Sequence, residues 1–232
     1  MKFEIKYQPS YSLLDVELEK GESLTAEAGS LTYMSPNIDI NTRTRESSIL
    51  GSLKTSIFGG QSLFVNDYKA LGGKGKLGLV AAPIGDIKKL EVTPGNGWIV
   101  QKSGYLASTH GVDLDIRWEG FRRGLFGQGL FMIKCQGNGE LFINTFGAID
   151  RHELEAGEQL VVDNFHLAAF SNTCEYEVRK FGNWKDTMFS GEGFVTYIDG
   201  PGDVYIQTKN LREFVDWLWV ILGPRVSSAS SR

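Results

Sequence analysis

An all-β chain is predicted, made of three tandem copies of one strand-rich unit and finished by a C-terminal amphipathic helix. Three observations carry this. Apolar residues recur at intervals of two over long stretches. The same sequence blocks return three times in the same order. Twenty-eight glycines against six prolines, with many Val, Ile, Phe, Tyr and Trp, favour short strands joined by tight turns. At 232 residues, 41% hydrophobic and 22% charged, the chain has the composition of a globular protein with room for a substantial core.

The units are assigned to residues 1–80, 81–144 and 145–206. Their shared opening block is LEKGESLTAEAGSL from Leu18, VTPGNGWIVQKSGYL from Val92 and LEAGEQLVVDNFHL from Leu154. Anchored on Gly21, Gly95 and Gly157, the three run without a gap for about thirty residues. In that register Leu24, Trp98 and Leu160 coincide, as do Ala26, Val100 and Val162, then Leu31, Tyr105 and Leu167. Ile38 and Ile40 fall with Val112 and Leu114, and with Cys174 and Tyr176.

A second block, FGGQSLF, LFGQGLF and FSGEGFV, aligns Gly60, Gly127 and Gly191. A phosphate-binding glycine loop would sit between a strand and a helix N-terminus. Here each glycine block runs into another strand-like segment (SLFVNDY, GLFMIKC, GFVTYI), so these glycines are read as structural, supplying positive φ at turns or bulges. A third block closes each unit: GKGKLGL with Gly75, GNGELFI with Gly139 and GPGDVYI with Gly202. The extra length of the first copy falls mainly in NTRTRESSILGS. One such unit buries too little to stand alone, so the three are expected to stack edge to edge about a pseudo-threefold axis.

After VYIQT the period changes. Leu211, Phe214, Val215, Leu218, Trp219 and Leu222 lie at helical spacing and Gly223-Pro224 reads as a stop, which places a helix over 207–224 and a disordered tail over 225–232. Trp217 and Trp219 beside aliphatics suit a membrane interface, but Arg212, Glu213 and Asp216 form a net negative polar set. Packing on the β core or on a neighbouring subunit is therefore the expectation, with Leu211, Phe214, Trp217, Leu218 and Trp219 as contact residues.

Little in the sequence points to chemistry. The three histidines, His110, His152 and His166, form no metal-binding spacing, and Cys135 and Cys174 read as small buried thiols. Asp113 and Asp115 alternate with apolar residues and would face solvent from a strand rather than converge on a pocket. The net charge of −4 argues against nucleic acid, since the basic pairs Lys74/Lys76, Arg122/Arg123 and Arg43/Arg45 are small and the repeat-equivalent positions Lys76, Glu140 and Asp203 disagree in sign. The opening MKFEIKYQ lacks the apolar region of a secretory signal and no run of eighteen apolar residues occurs, so an intracellular, cytoplasmic setting is expected, peripheral to a membrane if the helix binds one.

The threefold repeat, the AEAGSLTYM segment, the FGGQSLF block and the acidic-glycine turns together resemble the bacterial, archaeal and fungal family that includes the mitochondrial protein named for altered inheritance of mitochondria, number 24. The resemblance covers residues 1 to 222. It implies three domains like the trp RNA-binding attenuation protein, each a short double-stranded β-helix, in a homotrimer that forms a ring of nine. It offers no catalytic residues to carry over, and no cofactor is expected. The reading reached is a non-enzymatic binding or assembly protein, with a peripheral membrane scaffold, an RNA-binding ring and an enzyme with a dispersed site as alternatives. Trimerisation would also shield the sheet edge that a repeat series exposes at each end.

Overall fold

The computed structural model describes residues 1–44, 57–58, 61–62, 64–81, 84–118, 131–180 and 194–229. Gly60, Gly127 and Gly191, with the Arg122/Arg123 pair and Arg45, lie outside the described residues. What is described is mostly antiparallel β-structure with one C-terminal helix.

A leading strand, β1 (Lys2–Lys6), is followed by β2 (Leu13–Leu18), β3 (Ser23–Glu27), β4 (Leu31–Met34) and β5 (Ile38–Thr44). A two-stranded ladder of β6 (Ile57–Phe58) and β7 (Gln61–Ser62) precedes β8 (Phe64–Ala70) and β9 (Gly75–Leu79). Next come β10 (Ile87–Val92), β11 (Trp98–Gln101), β12 (Tyr105–Thr109), β13 (Val112–Trp118), β14 (Phe131–Gly137) and β15 (Gly139–Asn144). The last set is β16 (Ile149–Leu154), β17 (Gln159–Asp163), β18 (Leu167–Ser171), β19 (Glu175–Lys180), β20 (Phe194–Asp199) and β21 (Gly202–Gln207), before the helix α1 (Leu211–Ala229).

One pairing scheme recurs along the chain. β2 pairs with β9, β10 with β15 and β16 with β21. The partner on the other side of β9, β15 and β21 is β4, β12 and β18, and each of these pairings shifts register at the same aligned place, between Leu31 and Tyr33, Tyr105 and Ala107, and Leu167 and Ala169. Two residues there oppose one, the geometry of a bulge, which bends the strand and increases its twist. A second ladder flanks β8 with β3 and β5, β14 with β11 and β13, and β20 with β17 and β19.

Successive sets are welded by strand pairing. β3 pairs with β12, and β11 with β18, which creates two six-stranded sheets, β10-β15-β12-β3-β8-β5 and β13-β14-β11-β18-β21-β16. The core follows the same welding. Leu14, Val16, Leu18, Leu24, Leu77 and Leu79 pack with Leu106, Ala107 and Phe142 from the following set. Val100, Tyr105, Ile133 and Leu141 likewise pack with Ala168, Ala169 and Tyr205. No set owns its core, so the three depend on one another for burial.

The turn glycines divide by reason. Gly21, Gly95 and Gly157 have φ of +87°, +88° and +88°, with open space where a Cβ would stand, so the left-handed backbone alone selects glycine. Gly75 and Gly139 do not supply positive φ; they open β9 and β15, where a Cβ on Gly75 would come 2.7 Å from Ile38 Cγ1 and one on Gly139 2.2 Å from Thr109 Oγ1. Gly202 combines both demands, with φ +151° and Cys174 Sγ 2.7 Å from a Cβ position.

The helix departs from expectation. It begins at Leu211 rather than at 207, since Gln207 still belongs to β21, and it continues through Gly223-Pro224 to Ala229 instead of stopping there, and so takes in part of the segment expected to be a disordered tail. Proline removes its own N–H and crowds the residue before it, but Gly223 has no Cβ to clash, and the residues beyond are free to continue.

Candidate assembly surface

Two strand edges and one helix stand out from the packed body. β4 ends the sheet β1-β2-β9-β4 and β17 ends the sheet β17-β20-β19, so each has a partner on one side only. Their counterparts in the other sets, β12 and β18 for β4, and β3 and β11 for β17, are paired on both sides. Exposure follows pairing. On β4, Tyr33 and Met34 are 42% and 37% exposed and on β17 Val161 is 44% exposed, whereas the aligned Ser108 and Phe170, and Thr25 and Ile99, are 7% exposed or less.

The β4 edge is also held ready. The Tyr33 ring lies over Gly78, where a Cβ would come 2.2 Å from its Cε1, and Tyr33 helps to hold the Asp15 carboxyl below its ordinary range. Lys6 bonds the Asp15 carboxylate and so ties β1 to β2 on the first sheet.

α1 starts from a well-made cap. Asn210 Oδ1 accepts from the N–H of Arg212 at 2.9 Å and of Glu213 at 3.3 Å, satisfying two otherwise orphan donors. Phe214 meets Phe146 edge-on at 5.4 Å between centroids and Arg212 sits over the Phe165 ring at 5.4 Å, tying the first turn to the body. Beyond that turn the expected packing on the β core is not found: Trp217, Trp219, Val220, Ile221 and Leu222 are exposed, as are Leu211 and Phe214 in part, while Leu218 is half-buried. The run from Trp217 to Leu222 is apolar on every side of the helix, so α1 carries no clean amphipathic stripe. No helix among the described residues is long and apolar enough to cross a membrane.

The residues weighed for chemistry lie apart from one another, some in local hydrogen bonds and some facing solvent. His166 Nδ1 lies 2.7 Å from the Gln207 carbonyl oxygen, and His152 Nε2 is 3.2 Å from Asp150, while His110 is exposed. Asp113 and Asp115 both face solvent from β13. Cys135 is buried in β14; Cys174 is buried in the turn before β19 rather than in a strand, where burial, reinforced by Asp203 and Asp199, pushes its thiol up and away from a reactive thiolate. Among the described residues no three His, Cys, Asp or Glu side chains gather as a metal site. The shallow hollow lined by Tyr11, Ser12, Ile84 and Asp86 has its carboxylate engaged, because Asp86 Oδ1 accepts from Gln8, Ser12 and the Ile87 N–H at 3.0, 2.8 and 2.7 Å.

The sign disagreement at Lys76, Glu140 and Asp203 has a local cause. Lys76 stands opposite Glu17, 3.7 Å away, whereas Glu140 and Asp203 stand opposite Glu91 and Glu153 and take their countercharges diagonally, from Lys89 at 3.2 Å and Arg151 at 2.8 Å. Each charge is thus balanced locally on the sheet surface, by a facing or a diagonal neighbour, and the three do not form a set of matched phosphate contacts.

The fold and these surfaces define an antiparallel β protein in which β4 and β17 are half-paired where their counterparts are paired on both sides, with an exposed apolar helix. The chain belongs to the Mitochondrial biogenesis AIM24 family, whose model matches residues 3–209. It is 28% identical over 225 residues to an uncharacterized protein of Streptococcus pyogenes serotype M6, covering 94% of this chain and 90% of that one. It is also similar to the X-ray crystal structure of a Streptococcus pyogenes protein, with a TM-score of 0.80 and 28% identity over 95% of this chain and 99% of that one.

Proposed function

We propose that the chain is a non-enzymatic binding or assembly protein that works as a homotrimeric ring, in which nine units like the trp RNA-binding attenuation protein, three per chain, surround the axis as short double-stranded β-helices. One observation carries this reading. The joint between successive sets is made twice inside the chain, and the same pair of edges is left half-paired at its two ends. A half-paired edge with apolar side chains invites association, and edges that differ from one another associate head to tail, which ends in a ring when the rotation closes. Light scattering on a size-exclusion column tests it: a mass of about three chains is expected, with a protein-like 260/280 nm ratio across the peak. A single-chain mass at all concentrations would sink the reading, and a nucleic-acid ratio would turn it toward an RNA-binding ring.

A second reading, a scaffold peripheral to a membrane, is favoured by the exposed Trp217 and Trp219 on α1. Indole rings gain from an interface where one part is apolar and another wet. Co-sedimentation with neutral liposomes is expected in that case, and its loss when both tryptophans become Ser; sedimentation unchanged by that substitution would remove α1 from the account.

A further inference from the structure

Resting on the assembly reading, we infer that the partner of β17 is β4 of a second copy of this chain, in an antiparallel register that places Val161 opposite Met34 and Val162 opposite Tyr33. The register is already written twice in the molecule. With Gly21, Gly95 and Gly157 superposed, Thr25, Ile99 and Val161 are equivalent, as are Met34, Ser108 and Phe170. In the first internal joint Thr25 stands opposite Ser108 and Ala26 opposite Ala107. In the second, Ile99 stands opposite Phe170 and Val100 opposite Ala169. The two joints thus pair the same aligned positions although their side chains differ, so the register is set by the backbone shape of the joint, including the bulge that both β12 and β18 carry.

β4 carries that bulge at the same place, between Leu31 and Tyr33. It therefore presents to β17 an edge shaped like the one β12 presents to β3. Transferring the pairing sets Val161 against Met34, Val162 against Tyr33 and Leu160 against Ser35, so that Val161, Met34 and Tyr33, which the isolated chain leaves exposed, fall within the joint. The joint would merge the three-stranded sheet of one copy with the four-stranded sheet of the next, as the internal joints produce six-stranded sheets. Because donor and acceptor edges sit on different strands of the same chain, every copy offers one of each, and addition is head to tail. An unrelated extended peptide could pair with either edge alone, but it would have no reason to satisfy both in one register.

Two measurements on the full chain test this. Val161→Lys and Met34→Glu each place a charge in the joint at a position exposed in the single chain, so each variant is expected to keep its far-UV circular dichroism while its mass by light scattering falls to that of one chain. Leu71→Glu, at an exposed apolar position away from both edges, is expected to leave the mass unchanged. Independently, the Met34→Cys/Val161→Cys double variant treated with a short thiol cross-linker is expected to give covalent multimers, the native thiols being buried. Met34→Cys/Gln159→Cys, two residues out of register, is expected to cross-link about tenfold less, since diagonal neighbours lie farther apart. An assembly that survives both charged variants, or that cross-links as well through Gln159, overturns the register and leaves the assembly reading standing. A wild-type chain that is single at every concentration overturns both.

Discussion

Gly95 and Gly139 look alike in a sequence, each in a polar turn beside a second glycine, yet they resist substitution for different reasons. At Gly95 a side chain has space but not a comfortable φ, so Gly95→Ala is expected to cost about 1 kcal/mol. At Gly139 the added carbon strikes Thr109 Oγ1, which accepts the Glu140 N–H at 2.9 Å, so Gly139→Ala is expected to cost about 1–3 kcal/mol by overpacking and by loosening that bond. Urea unfolding midpoints of the two variants check the ranking. The first reason was legible, because three glycines at aligned turns announce one backbone conformation. The second was not, because the atom that excludes a Cβ comes from a strand far along the chain.

Acid sensitivity follows from another pair of side chains. The Lys6 hydrogen bond holds the Asp15 carboxyl below its ordinary range, outweighing the burial that raises it, and Tyr33 adds to the lowering. A folded value below the unfolded one, about 3.9, means a stabilising contribution that is present above that value and lost as pH falls through the folded pKa. Wild type and Asp15→Asn are therefore expected to differ in urea midpoint at pH 7 and to converge as the pH drops below 4. A gap that stays constant with pH would show that Asp15 acts through packing instead.

Among the elements, the helix shows how far local pattern carries and where it fails. Its start was visible in the change from a two-residue to a helical period after VYIQT, and Asn210 completes it as an N-cap. Its end was misread at Gly223-Pro224, since proline bars its own hydrogen bond but does not bar a helix beyond it. Its surroundings stay open between the β core and a neighbouring subunit in the sequence, because apolar spacing says that a face wants cover and does not say whether the same chain provides it. As α1 beyond its first turn is exposed, Asn210→Ala is expected to cost the helix about 1 kcal/mol and reduce the circular dichroism at 222 nm. The unfolding of the β body is expected to move by less than about 0.5 kcal/mol, and a larger shift would mean that α1 supports the sheets.

For the molecule as one object, the interleaved cores predict one cooperative transition rather than three. Phe142, from the second set, is fully buried in the cluster formed by the first and meets Phe3 at 4.8 Å between centroids. Phe142→Ala is expected to cost about 3–5 kcal/mol, and tryptophan fluorescence and far-UV circular dichroism should report the same unfolding midpoint in wild type and variant. Separate midpoints would mean that the sets unfold independently in spite of their shared core.

Strand character, the threefold recurrence of blocks, the turn glycines and the start of the helix could all be read along the chain, because alternation, turn chemistry and helical period act between residues a few positions apart. Gly60, Gly127 and Gly191 of the second block lie outside the described residues, so their role rests on the sequence. Folding in three dimensions settled which strands weld successive sets, which edges stay half-paired, why charges at aligned positions can exchange sign, and that α1 is left uncovered. Those outcomes depend on strands far apart in the chain meeting in one register. Tyr33, Met34 and Val161 therefore look like ordinary strand residues in the sequence and become candidate contacts only when the sheets show what lies beside them.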